Sequence, residues 1–275
     1  MSTSPLGSLF VCATPIGNLS DCSPRLLETL NQVDYIAAED TRITRRLLAH
    51  FDIKTPLFSL HQHNEAARIE FIKKHLQEGK SIALVSDAGT PNISDPGSIL
   101  IQQLAQEGFK ITPISGPSSI TTLLSVAGVM ANQFFFAGFF PRKDAEAQAA
   151  LDTWRPLQAP IFCFETSLRL LKTLDWLHET DMVDTMVLGK ELTKQYEKIY
   201  RGTVEEIRTA LQTDSLKGEW CFVITLKQAP KLSQDEIKTT VSGLKQQGLT
   251  RYQILHVAKL LNYPKNTVYD MILDD

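Results

Sequence analysis

The sequence predicts an α/β protein built as two consecutive α/β domains with a small C-terminal helical appendage. Three observations carry this. Over the first 130 or so residues, short apolar runs rich in β-branched and aromatic residues alternate with amphipathic stretches of helical period, the pattern of βαβ units on a mostly parallel sheet. Beyond about residue 131 the alternation resumes with a different rhythm. After about residue 229 the strand signals stop and only helical segments remain.

Taken in order, LFVCAT (9–14) is a strand that ends at Pro15. SPRLLETLNQV (23–33) offers Ser23 as an N-cap, Pro24 at the first helical position and an apolar stripe of period 3.6, which together predict a helix. DYIAAED (34–40) reads as a strand, RITRRLLAHF (42–51) as a helix and PLFSL (56–60) as a short strand. NEAARIEFIKKHLQEG (64–79) is a long helix stopped by Gly79, followed by the strand KSIALVSD (80–87). The helix 96–108, the strand 109–115 and a helix opening at Gly116-Pro117-Ser118 complete the first part. In the second part, 134–140, 159–165, 184–191 and 218–226 are strand-like, with helices over 143–155, 167–179 and 205–213. The predicted domains are 1–120 and 121–229, with a helical tail over 230–275. The tail breaks at Gly248 and Pro264 and carries six Lys/Arg against two Asp/Glu between 231 and 269. It reads either as a helix-turn-helix-like appendage or as a clasp that packs on the body or on a partner subunit.

Bulk properties narrow the function. A chain with 43% hydrophobic and 21% charged residues has the composition of a soluble globular protein with a core. Its net charge of −3 gives no overall attraction to a polyanion, so any nucleic-acid contact must come from local patches. Cys12, Cys22, Cys163 and Cys221 form no Cys-x-x-Cys or Cys/His pattern. That excludes a zinc ribbon and fits reduced thiols in a cytoplasmic protein. The N-terminus lacks the basic and apolar regions of a signal peptide, and no apolar run reaches eighteen residues, so a membrane-free cytoplasmic location is expected.

Three loops that leave predicted strands are built for close backbone approach: ATPIGNLSD (13–21), SDAGTPNISDPG (86–97) and SGPSS (115–119). Glycine lets a backbone come near a ligand, and proline fixes a turn without needing a donor. In an open parallel sheet, ligands bind where such loops leave the carboxyl ends of strands. Neither G-x-G-x-x-G nor G-x-x-x-x-G-K-[ST] is present, so the expected ligand is less anionic than a dinucleotide or a triphosphate.

ATPIGNL (13–19), AAEDTR (37–42), SDAGTP-x-ISDPG (86–97), GPS (116–118), GFFPRK (138–143), FE-x-x-x-R (164–169), ELTK (191–194) and KGE (217–219) together resemble the bacterial enzymes that methylate a cytidine 2′-oxygen of 16S rRNA. Those enzymes are S-adenosyl-L-methionine-dependent members of the tetrapyrrole-methylase-like group. The resemblance spans roughly residues 9–226, and the first and third blocks are its specific part. It implies two α/β/α domains with the cofactor cleft between them, a homodimer, and rRNA within the assembled small ribosomal subunit as partner. It also implies cofactor binding by Pro15, Ile16, Gly17, Ser86, Asp87, Ala88, Gly89, Ile93, Pro117, Ser118 and Leu192. The sequence departs from the family at Thr166-Ser167-Leu168, where Pro-His often stands before the arginine, at Lys190, where arginine is common, and at Ser115, where proline is usual.

The implied chemistry is in-line attack by a ribose oxygen on an activated methyl group, so a proton acceptor is sought among Glu39, Asp40, Asp87 and Asp95. Asp40 is the expected acceptor or hydroxyl orienter, with Glu39 and Asp95 as further catalytic candidates. Asp95 also reads as a helix N-cap, Asp87 as a brace of the cofactor loop, and Glu39-Asp40 as ion-pair partners of Arg42 or Arg45. His61 and His63 read as loop histidines, and no metal is required. Local positive charge for RNA is expected from Arg42, Arg45, Arg46, Arg142, Lys143, Arg169 and Lys194. The phenylalanines of 134–140 are expected in the core. Two rival readings remain open: a methylase of a small tetrapyrrole, and a non-catalytic ribosome-binding protein on the same fold.

Overall fold

The structure, a computed structural model, describes residues 6–130, 132–228, 234–260, 263 and 265–273. The chain divides into two compact units, Met1–Lys227 and Gln228–Asp275.

The first unit opens with strict strand–helix alternation: β1 (Ser8–Cys12), α1 (Pro24–Gln32), β2 (Tyr35–Ala38), α2 (Thr41–His50), β3 (Leu57–Ser59), α3 (Glu65–Gln77), β4 (Ile82–Val85), α4 (Ser98–Gln106) and β5 (Lys110–Ile114). The five strands pair in parallel in the order β3-β2-β4-β1-β5. Parallel sheets need cover on both faces, and β4 shows why its sequence is uninterruptedly apolar. Ala83 and Val85 join Leu26, Leu30, Leu47 and Leu48 of α1 and α2 on one face. Ile82 and Leu84 join Ile69, Ile72, Leu76, Leu100 and Leu104 of α3 and α4 on the other. At the start of α1 the Ser23 side chain accepts the Leu26 N–H and Pro24 occupies the first turn, as predicted.

After 115–118 the chain enters α5 (Ser119–Val126), then β6 (Phe135–Phe139), α6 (Asp144–Trp154), β7 (Ile161–Thr166), α7 (Leu170–Thr180), β8 (Val183–Lys190), β9 (Lys198–Gly202), α8 (Val204–Leu211) and β10 (Glu219–Leu226). The predicted domain limit at 120/121 falls inside α5, whose Ile120 and Leu123 pack on Phe162, Val187 and Val223 of the second sheet. The second sheet has the order β6-β7-β10-β8-β9. Only β6 and β7 are parallel; the other pairs are antiparallel. Its opposite face packs against α6, α7 and α8 through Leu151, Leu174, Leu177, Ile207 and Leu211. β9 was not expected from the sequence. It is an edge strand of the form KIYRG, paired only with β8, and the charged residues that blunt an edge also hide its strand pattern.

The second unit contains α9 (Gln234–Gln246), α10 (Arg251–Leu260) and α11 (Lys265–Leu273). They close on a small core of Ile237, Val241, Ile254, Ala258 and Val268. Arg251 lies over the Tyr269 ring at 4.1 Å, and Gly248 turns the chain out of α9 with φ +80°. Among the described residues, no helix is long and apolar enough to cross a membrane.

Candidate active site

Because β4, β1 and β5 are neighbours, the three small-residue loops leave adjacent strand ends, and the structure laces them together. Thr14 and Gly89 exchange backbone hydrogen bonds of 2.9 and 3.1 Å. The Thr14 hydroxyl donates to the Ser86 carbonyl at 3.3 Å, and the Thr90 hydroxyl to the Pro117 carbonyl at 3.3 Å. Gly89 sits at φ +78°, where a Cβ would also lie 3.3 Å from Ile16. A Cβ on Gly17 would overlap the Lys194 side chain and press on the Leu192 carbonyl at 3.0 Å. Asn92 and Ser94 hold left-handed backbone, φ +71° and +70°, a costly conformation for residues with side chains.

A cavity of about 520 Å³ opens between these loops and the second sheet. One wall is Ile16, Glu39, Asp87–Thr90 and Ile93–Asp95; the start of α5 adds Ser118–Ile120; the other wall is Phe139, Phe164–Ser167, Leu192 and Gly218–Cys221. Of the residues expected to bind the cofactor, Ile16, Asp87, Ala88, Gly89, Ile93, Ser118 and Leu192 line it. Pro15, Gly17, Ser86 and Pro117 do not. Ser86 is buried behind the loop and Pro117 receives the Thr90 hydroxyl, so both act on loop shape. The second wall beyond Leu192 was not anticipated; its FE-x-x-x-R and KGE blocks are too short and common to stand out alone.

Five carboxylates line the cavity; Glu165 and Glu219 are ion-paired with Arg169 and Lys194, and Glu39, Asp87 and Asp95 are raised. Burial raises Asp87, and burial with the Asp87 charge raises Glu39. Burial, then the Glu39 charge, pushes Asp95 up to about 6 against an opposing hydrogen bond from Ser86. Asp87 accepts the Asp40 N–H at 2.9 Å. The expectation for Asp40 itself is corrected. Its carboxylate caps α2 through the Arg42 N–H at 2.8 Å and pairs with the Arg42 guanidinium at 2.6 Å. That pairing holds it down at about 2, and it does not line the cavity. The capping reading of Asp95 is corrected too. Position Gly97 is the N-cap of α4 and supplies no side chain; Glu65 of α3, 4% exposed, instead accepts the Leu100 N–H at 3.0 Å. The Cys221 thiol is pushed up to about 12 by burial, so it stays protonated. His61 and His63 contact each other edge-on at 5.9 Å and stand outside the lining.

The cationic candidates separate into free and engaged groups. Arg45, Arg46 and Arg142 are exposed. Arg42 is exposed but paired with Asp40, and Lys143 pairs with Glu146 at 2.8 Å. Two expectations fail on geometry. Arg169 pairs at 3.2 Å with Glu165, whose side chain is fully buried, and donates to the Phe140 and Pro141 carbonyls at 2.8 and 2.9 Å. Lys194 is shared between Glu191 at 2.9 Å and Glu219 at 3.0 Å. Both are used to hold the second wall. Lys190 is likewise buried, paired with Asp214 at 3.3 Å and lying 5.2 Å from the Trp220 ring centroid. Of the aromatic run, Phe140 is buried and Phe136 half-buried, but Phe134, Phe135 and Phe139 are exposed, so the core expectation holds for only part of it.

Residues 8–208 match the family model of tetrapyrrole (corrin/porphyrin) methylases. A protein of Synechocystis sp. named ribosomal RNA small subunit methyltransferase I is 38% identical over 274 residues, 98% of this chain and 98% of that one. One of the same name from Bacillus subtilis is 36% identical over 275 residues, 97% and 94% of the two chains. Among solved structures, a diphthine synthase superposes with a TM-score of 0.64 at 16% identity, covering 84% of this chain and 93% of that one. A cobalt precorrin-4 methyltransferase gives 0.58 at 17% identity, covering 79% and 94%. With its two sheets, its laced loops and these matches, the chain belongs to the tetrapyrrole (corrin/porphyrin) methylase family, within the group of ribosomal RNA small subunit methyltransferase I proteins.

Proposed function

We propose that the protein transfers a methyl group from S-adenosyl-L-methionine to the 2′-oxygen of a cytidine ribose in 16S rRNA, acting on the assembled small subunit. The observation that carries this reading is a cavity lined together by Asp87–Gly89, by the raised carboxylates of Glu39, Asp87 and Asp95, and by apolar Ile16, Ile120 and Leu192. Its volume of about 520 Å³ lies within the range of small-molecule sites. The donor set fits the cofactor: carboxylates suit a cationic ligand, Gly89 leaves room for close backbone approach, and the apolar side chains suit a purine. When bound, the cofactor supplies an activated methyl group on a sulfonium centre.

The chain supplies orientation and a proton acceptor. Holding the ribose oxygen in line is worth about 7–11 kcal/mol of barrier. Asp95 replaces Asp40 as the acceptor. With its carboxyl raised to about 6, it is ionised at neutral pH yet more basic than an ordinary aspartate. A general base contributes about 10²–10⁴-fold. Glu39 and Asp87 keep Asp95 basic by charge and burial. Arg45, Arg46 and Arg142 provide the free positive charge for phosphates. The names of the relatives support rRNA as substrate.

The deciding experiment is transfer of a radiolabelled methyl group to purified small subunits that lack the modification, beside naked 16S rRNA and a precursor tetrapyrrole. Label on a cytidine ribose in the subunits is the expected outcome. Label confined to the tetrapyrrole, or absent everywhere despite cofactor binding, refutes the reading.

A further inference from the structure

We propose that Phe139 is the platform on which the target nucleobase stacks when its ribose is presented to the carboxylates. This rests on the rRNA reading above and adds to it a residue that selects for an unpaired base.

The argument begins in the backbone. β6 and β7 pair in parallel with Phe135 opposite Ile161 and Phe136 opposite Phe162, but the next pair is Phe139 with Phe164. Three residues of β6 therefore span two of β7, a β-bulge that centres on Gly138 at φ +73°. Bulges near functional sites re-aim side chains. Here the extra residue sends Phe140 into the core beneath the sheet, against Trp154, Trp176 and Phe222. It leaves Phe139 on the cavity side, 56% exposed.

More than half of the Phe139 surface is open to the cavity side, yet the ring is braced from behind. Its ring packs on Phe164 with centroids 5.5 Å apart. Phe164 is itself fixed by Phe162 at 5.2 Å and Phe136 at 5.6 Å. The result is a braced aromatic surface in the cavity that Ser167 and the Glu39, Asp87 and Asp95 carboxylates also line. Those carboxylates repel phosphates, so the backbone of a bound strand is directed to the outer arginines and the neutral base toward the wall. Protein sites for unstacked RNA bases use aromatic rings in this way. Removing such a ring weakens binding about 5- to 150-fold per base.

The test is steady-state methyl transfer to small subunits with F139A, F139L, F139Y and F139W, together with calorimetric titration of S-adenosyl-L-methionine and thermal unfolding of each variant. The expected result is a rise in KM for the subunit of about 5- to 150-fold for F139A, a comparable rise for F139L, and near wild-type values for F139Y and F139W. Cofactor affinity and unfolding temperature should stay at wild-type values. Wild-type KM in F139A, full rescue by F139L, or a loss of cofactor affinity parallel to the loss of activity would each overturn the inference. The last result would make Phe139 part of the cofactor wall. Failure of the wild-type protein to methylate subunits is a separate outcome; it removes the rRNA reading and this inference with it.

Discussion

Replacing Asp95 by asparagine should make the protein more stable and less active, and the gain should depend on pH. Asp95 has its carboxyl raised from an ordinary 3.8 to about 6 by burial and by the Glu39 charge. A raised acid binds its proton more tightly in the folded state. The folded state is therefore penalised as pH climbs from the unfolded value toward the folded one, and the penalty is constant above that. A rise of this size corresponds to at most about 3 kcal/mol at pH 7.5, at about 1.4 kcal/mol per tenfold change in affinity. Asp95 is half-buried, and solvent screening reduces the figure to about 1–2 kcal/mol. Asp95→Asn abolishes the ionisation while keeping a hydrogen-bond partner for Ser86. Its advantage should be full at pH 7.5, about half as large at pH 5, and gone below pH 3.8. Urea unfolding followed by tryptophan fluorescence measures this cleanly, because Trp154, Trp176 and Trp220 all lie in the first unit. If D95N is equally or less stable than wild type at pH 7.5, or if its advantage grows as pH falls, the carboxylate cluster is not electrostatically strained and the reasoning fails. Methyl transfer by D95N should fall about 10²–10⁴-fold at neutral pH.

The other expectations follow from particular contacts. Glu65→Ala leaves the Leu100 N–H without its buried acceptor and should cost about 1–3 kcal/mol in urea unfolding, with Glu65→Gln recovering much of it. Arg169→Ala strands the buried Glu165 carboxylate and should destabilise by about 3–5 kcal/mol, a loss read in thermal unfolding without any substrate. The double variant R45A/R46A should behave oppositely: unchanged unfolding, weaker subunit binding, and a slope of log affinity against log salt reduced by about 2. Gly89→Ala meets both the left-handed backbone and Ile16, and should lower cofactor affinity measured by calorimetry while costing about 1–3 kcal/mol of stability.

What could be read from the sequence is what local chemistry determines. The strands and helices of the first sheet follow from short apolar runs and from signals such as Ser23-Pro24, and the three loops follow from glycine and proline at strand ends. Partnerships across space were not legible. Arg169 looks like a free cation in sequence, but its acceptors Phe140 and Pro141 lie in the turn after β6. Asp40 and Asp95 look alike as carboxylates before a helix. The pairing of Asp40 with Arg42 is one of the readings the sequence offers, but only the fold selects it and places Asp95 beside Glu39. Asp95 loses its capping role because Glu65, from a different helix, performs it. β9 escaped because charges at both ends of KIYRG outweigh two apolar residues. The exposure of Phe139 depends on one extra residue in β6, which no period-2 pattern displays.

The reciprocal bonds between Thr14 and Gly89 also bear on how the cavity admits its ligands. They form an antiparallel bridge just past the ends of the parallel strands β1 and β4, which ties the loop at 86–90 to the centre of the sheet. Such a segment opens only with the strands beneath it, on the slow timescale of sub-global unfolding. The Gly89 amide should accordingly exchange with solvent at a rate near that of the β4 amides. Entry and release then fall to the opposite wall at Ser167 and Gly218, which lie just past the paired ends of β7 and β10 at Thr166 and Glu219.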